Sequence, residues 1–295
     1  MDLTIGIFIL VIIGFFLYNW KRRNNSKWIL PKKPFPTDWR IKLMRDVSFY
    51  NSLSKDEKKR FEFKIQEFLL NCRITGIKTK IDITDKILVA SSAVIPIFAF
   101  DNWKYSNLHE VLIYPNMFNE KFEIEGPDRR ALGMVGSGNM EGIMILSQQA
   151  LKHGFKNESD KKNTAIHEFV HLIDKTGGPI DGLPSSLMEK QYAIPWIDFM
   201  NKKIDEIYDG ESDINPYGGT NRAEFFSVAS EYFFERPKLL EKKHPDLYSL
   251  LEKVFKQDMS SRNLSKNKVK IERNSPCPCN SGSKYKKCCG LIHYS

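Results

Sequence analysis

The stretch TAIHEFVHLID, residues 164–174, limits what this chain can fold into more than any other. Ala165, Ile166, Phe169, Val170, Leu172 and Ile173 demand burial, and a helix of this composition is apolar nearly all round. Among them stand His167, Glu168 and His171. Each costs free energy to bury unless a partner satisfies it. The fold must therefore be built around that partner.

Residues four apart lie one turn apart on the same helix face, so His167 and His171 aim two imidazoles at one point, with Glu168 beside it. H-E-x-x-H on an apolar helix is the metal-binding pattern of zinc peptidases. Two neutral nitrogens bind Zn²⁺ at about 2.0–2.1 Å, and the ion compensates for their burial. A catalytic zinc needs a third protein ligand and keeps its fourth position for water. The run NRAEFFSVASEYFFE, residues 221–235, offers Glu224, Glu231 and Glu235 on a further apolar helix. Glu224 and Glu231 are seven apart and share a stripe, which suits one ligand and one residue that orients a ligand histidine. Asp174 is an alternative for the orienting part, and spacing alone does not choose between Glu224 and Glu231.

Charge is distributed unevenly. The net +9 of the 295 residues divides into −1 over residues 1–18 (Asp2), +6 over 19–37, −4 over 38–252 and +8 over 253–295. A basic surface confined to two flanks excludes a nucleic-acid-binding core, and no direct DNA binding is expected. LTIGIFILVIIGFFLY, residues 3–18, is uncharged, and Trp20 follows it at an interface position. A run of this length is at the short end of what spans a bilayer, roughly 17–25 residues. The basic residues follow the run and no small-residue cleavage site is present, so it reads as an anchor over 3–20 rather than a signal peptide. The positive-inside rule then sets a single pass through the cell (inner) membrane with the remainder in the cytoplasm. Residues 21–37 form a basic, Pro-rich juxtamembrane linker suited to anionic headgroups.

Between the flanks, Ser54 and Glu57 form a capping box for a helix to about residue 72, with Phe61, Ile65, Phe68 and Leu69 on one face. Alternation over 73–83 predicts a strand, and 85–100 begins as a buried helix. VLIY (111–114) and GIMILS (142–147) predict strands, with loop over 116–141. A helix is expected over 185–208, bent at Pro195, then helices over 221–235 and 237–256. Strands mixed with helices, followed by helices alone, make the fold class α+β.

HEFVHLID, the VLIYP segment and R-A-E-F-F-S-V-A-S-E-Y-F-F over 222–234 together resemble the Mlc titration factor A family of bacterial zinc metallopeptidases, over about residues 40–256. The resemblance implies a zincin-like domain over 38–258, with zinc held by His167, His171 and Glu224. It also implies that Tyr217, seven residues before Glu224, faces the substrate oxyanion, as in zincins of the anthrax-lethal-factor type. The expected reaction is peptide-bond hydrolysis by a zinc-activated water with Glu168 as general base. GIMILS is expected to be the edge strand on which an extended substrate docks. The family also implies an alternative: a regulatory binding protein that sequesters a partner such as a transcriptional repressor.

CPCNSGSKYKKCC, residues 277–289, gathers four of the five cysteines. Cytosolic cysteines spaced C-x-C-x8-C-C read as a second, structural zinc site of Cys277, Cys279, Cys288 and Cys289. His293 competes as a ligand, but Cys289 fits the spacing better. The run resembles the SEC-C zinc motif, with Asn280 and Ser283 departing from its usual glycine and lysine. We expect the motif over 274–292 after a linker over 259–273. Its basic surroundings suit an acidic protein or ribosome partner. Cys72, on an apolar helix face, is a core residue.

Overall fold

A computed structural model of the chain describes residues 28–126, 128–157, 160–188, 190–264, 273–277 and 283–287. The expected anchor, Cys279, Cys288 and Cys289 lie outside the described residues. No helix among the described residues is long and apolar enough to cross a membrane. The architecture is mixed α+β, a small sheet with most helices on one face.

The first helices are α1 (Thr37–Asp46), α2 (Ser48–Ser52) and α3 (Lys55–Asn71). The Ser54–Glu57 capping box opens α3 as expected, and Phe61, Ile65 and Phe68 point inward. The chain before α1 is tied to α3, because Trp28 Nε1 donates to Glu67 at 2.7 Å and Ile29 N to Asn71 at 2.8 Å. Strand β1 covers only Arg73–Gly76, not the whole of 73–83. A Cβ on Gly76 would meet the Thr79 carbonyl at 2.4 Å, so the chain turns tightly there. Asp82 and Asp85 then cap each other's backbone and start α4, Ile83–Ile97. This helix is buried from Ile87 to Ile97 and forms the centre of the core.

Strands β2 (Glu110–Tyr114), β3 (Gly133–Val135) and β4 (Ile143–Ser147) complete a sheet in the order β1-β2-β4-β3. The first three in that order are parallel, and β3 runs antiparallel to β4. GIMILS is therefore an inner strand, with a neighbour on either side, and the expected docking edge is not there. The edge strands are β1 and β3, and β3, beside GIMILS, lies in a segment that composition reads as loop because its three ladder residues sit among Gly and charged residues. Met144 and Leu146 enter the main core, whereas Ile145 joins a smaller cluster with Tyr114 and Phe118 beneath the 116–140 segment. That is the two-residue period of a strand covered on both faces.

Helices α5 (Gln148–Lys156), α6 (Thr164–Lys175), α7 (Ala193–Tyr208) and α8 (Arg222–Glu235) follow. The bend expected at Pro195 is absent because α7 starts at Ala193, which places the proline in the first turn where no backbone donor is needed. The expected last helix is two, α9 (Pro237–Lys243) and α10 (Pro245–Phe255), since Pro245 cannot continue the first. The segment after α10 packs on the domain as well, with Met259 fully buried and Arg262 paired to Glu57 at 3.0 Å.

Candidate metal centre

Helix α6 crosses the core with Phe169 packed on Phe68 of α3 at 5.7 Å between centroids. Its opposite face carries His167 and His171 toward α8. Asn163 starts α6 by accepting from Ile166 N at 3.1 Å, and Asn221 starts α8 by accepting from Glu224 N at 3.0 Å. Each cap fixes the first turn of a helix that bears a site residue.

His167 Nε2 lies 3.0 Å from His171 Nε2 and 3.0 Å from Glu224 Oε2, and the third separation is 3.5 Å. Tetrahedral bonds of about 2.1 Å put neighbouring ligand atoms about 3.4 Å apart. The observed triangle needs only a few tenths of an ångström of expansion to take an ion. Among the described residues, these three side chains are the cluster suited to hold a metal.

Their other ring nitrogens are occupied. His167 Nδ1 lies 2.8 Å from Glu231 Oε1, and His171 Nδ1 lies 3.1 Å from Ser227 Oγ. Ionised Glu231 can only accept, so in neutral His167 the proton sits on Nδ1 and the Nε2 lone pair faces the cluster. The other oxygen of Glu231 accepts from Asn163 N, which joins the start of α6 to α8. Glu231 thus fills the orienting part; the alternative, Asp174, instead accepts from Gly182 N at 2.7 Å. Ser227 is an addition beyond the expected residues. Its signal was its place between Glu224 and Glu231 on one stripe of α8.

Three carboxylates share this buried volume with two imidazoles, since Glu168 and Glu231 are each 6% exposed and Glu224 lines the same space. Such a set requires a cation, because a buried charge without an opposite partner costs several kcal/mol. Without one, a proton serves. Burial opposes charge on His167, but hydrogen bonds to Glu224 and Glu231 push its pKa up to about 10. Burial likewise opposes charge on Glu224, yet its contacts with the two histidines hold it down to about 2. A divalent ion placed among Nε2, Nε2 and Oε2 replaces that proton with a better-matched charge. The donor set, two imidazoles and a carboxylate, suits zinc.

Burial raises the pKa of Glu168 above the usual carboxylate range. Its side chain lies under β3: a Cβ on Gly133 would come within 2.6 Å of both Cγ and Oε1. Only a residue without a side chain leaves this space. Tyr217 stands at the rim on a short 3₁₀ turn, Pro216–Gly219, with its ring 6.1 Å from that of His167. It is 53% exposed and therefore open to a ligand. Desolvation raises the pKa of its hydroxyl, with Glu224 and Glu168 adding to the effect.

Of the cysteine set, Cys277 is described and buried; its backbone N–H donates to Ser283 at 2.8 Å, beside a bridge between Pro276 and Lys284. Cys72 is a core residue, its thiol pushed up to about 12 by burial.

A family model described as glucose-regulated metallo-peptidase M90 matches residues 17–256, and a SEC-C motif model matches 273–291. An uncharacterized protein of Synechocystis is 27% identical over 86% of this chain and 97% of its own length. Mlc titration factor A of Pectobacterium atrosepticum is 28% identical over 71% of this chain and 83% of its own. The Yersinia pestis protein of the same name is 32% identical over 52% and 60% respectively.

Proposed function

The chain belongs to the glucose-regulated metallo-peptidase family M90, and from that premise we propose that it is a zinc-dependent peptidase held at the cytoplasmic face of the cell membrane. The observation that carries the reading is the triangle of His167 Nε2, His171 Nε2 and Glu224 Oε2. His167, His171 and Glu224 hold the ion, which when bound supplies Lewis acidity toward water and a substrate carbonyl.

The chain's own residues supply the remaining steps. Glu168, with its raised pKa, accepts the proton of the attacking water and passes it to the leaving amine. Tyr217 donates a hydrogen bond to the developing oxyanion from the rim. Glu231 and Ser227 hold the two imidazoles in the tautomer that presents Nε2. An extended peptide adds to the open side of β3, where backbone pairing at Gly133–Val135 lays it across Glu168.

The uncharged run 3–18 and the basic residues after it support a single-pass anchor over 3–20, with the peptidase domain over 38–258 in the cytoplasm. The SEC-C match supports a second, structural zinc at Cys277, Cys279, Cys288 and Cys289, and the +8 balance around it supports an acidic protein or ribosome partner. A second reading, a regulatory protein that sequesters a partner such as a transcriptional repressor, is favoured by relatives named as titration factors.

The test is zinc content measured together with turnover of a peptide library, on wild type and Glu168→Gln. We expect zinc in both and cleavage only in the wild type. Zinc without cleavage in either, with partner capture unchanged by the substitution, would establish the second reading.

A further inference from the structure

Away from the metal centre, α3 presents an apolar face to solvent. Ile29 is 51% exposed, Leu30 52%, Phe63 44% and Leu70 45%. These form one surface. Phe63 and Leu70 are seven apart and so within about 20° of each other around the helix. Glu67 and Asn71, which fasten Trp28 and Ile29, lie on the same side. Lys32 and Lys33 follow Leu30 in the exposed chain, and the Lys104 ammonium lies 5.2 Å from the Trp28 ring. The patch is thus apolar with three lysines at its rim, in a domain whose balance over 38–252 is −4; Asp56, seven residues before Phe63 on the same stripe, is paired with Lys59 at 3.1 Å.

We propose that this face of α3 docks on an anionic bilayer and holds the metal centre turned away from the membrane. The proposal rests on the anchor reading above. The apolar run ends at Tyr18, ten residues before Trp28, a tether of at most about 36 Å. Residues 19–37 carry six basic side chains and no acid, so the tether and the rim both suit anionic headgroups. The small hydrophobic area alone would not hold the domain; the tether raises its local concentration at the surface.

The orientation follows from helix geometry. Phe68, two residues from Leu70, is about 200° from it around α3 and contacts Phe169 of α6. Phe169 is in turn two residues from His167 and from His171, again about 200° away. The order is bilayer, α3, α6, metal. A peptide reaching Glu168 therefore comes from the aqueous side, and the substrate class is a soluble extended segment rather than a lipid-embedded helix.

The experiment uses the full chain with phosphatidylcholine vesicles containing phosphatidylglycerol. Flotation reads the anchor, and hydroxyl-radical footprinting of the floated fraction reads the face. Phe122 at 38% and Leu132 at 40% exposure are internal references for Phe63 and Leu70. We expect Phe63 and Leu70 to be labelled about threefold less than their references. The double variant Phe63→Ser with Leu70→Ser should float equally and regain labelling at Ile29 and Leu30. A floating chain labelled equally within both pairs overturns the face and leaves the anchor standing. A chain that does not float overturns both. Protection in neutral detergent that grows with protein concentration marks a second copy of the chain, and also overturns the proposal.

Discussion

At the scale of single residues, the proposed function separates the site into side chains that would hold the ion, one that would move a proton, and those that aim them. Glu168→Gln keeps shape and removes the base, so peptide turnover should fall by roughly 10²–10⁴ with zinc content unchanged. His171→Ala should lose the metal itself, as read by elemental analysis. Glu231→Gln and Ser227→Ala leave every ligand in place but release an imidazole, and zinc affinity should fall about 10–100-fold in competition with a chelator. Gly133→Ala is a sharper case. The added methyl would sit 2.6 Å from Glu168 Oε1, so that carboxylate must move or β3 must shift. We expect reduced turnover with full zinc occupancy, a pattern that distinguishes displacement of the base from loss of the ion.

At the scale of elements, the segments bearing the site are clamped at one acid. Asp213, on the connection between α7 and α8, accepts from Lys161 Nζ at 2.8 Å, Lys243 Nζ at 3.0 Å, His244 Nε2 at 2.8 Å and Tyr232 OH at 3.0 Å. Lys161 precedes α6, Tyr232 follows Glu231 on α8, and Tyr217 lies four residues past Asp213. Burial would raise its pKa, but those donors hold it well below the usual carboxylate range. A lowered folded-state value means the stabilisation is complete above the unfolded carboxylate value of about 3.9 and is lost as pH falls below it. Asp213→Asn should therefore cost roughly 1–3 kcal/mol at neutral pH and flatten the acid limb of the stability profile below about pH 4. Denaturant unfolding across pH would read both. The elements themselves were legible where a local device declared them: the Ser54–Glu57 box and the apolar H-E-x-x-H helix stand where the pattern put them. Local signals failed where a neighbour set the outcome. Strand β3 has three ladder residues and no alternation of its own; pairing with β4 makes it a strand. Gly76 ends β1 early because the Thr79 carbonyl occupies the space beside it.

For the whole molecule, the number of zinc ions separates the two modules. The full chain should bind two per copy, and Cys277→Ser with Cys279→Ser should remove one while peptide turnover persists. Elemental analysis beside a turnover assay checks this; loss of turnover in that variant would tie the tail to the centre. The fold supports this independence, because the His167–His171–Glu224 cluster is enclosed by α6, α8 and β3, and among the described residues none beyond 264 joins it.

The residue types and spacing alone determined the imidazole pair: H-E-x-x-H needs only the pitch of one helix to bring His167 and His171 together. The choice between Glu224 and Glu231 was different, since seven residues on one stripe leave both facing the same neighbour. How α8 lies against α6 decided it, placing Glu224 beside the Nε2 atoms and Glu231 against Nδ1 of His167. The edge strand over Glu168 was decided the same way. Both depend on where separate segments meet in space, and the interval between two residues along a chain does not carry that information.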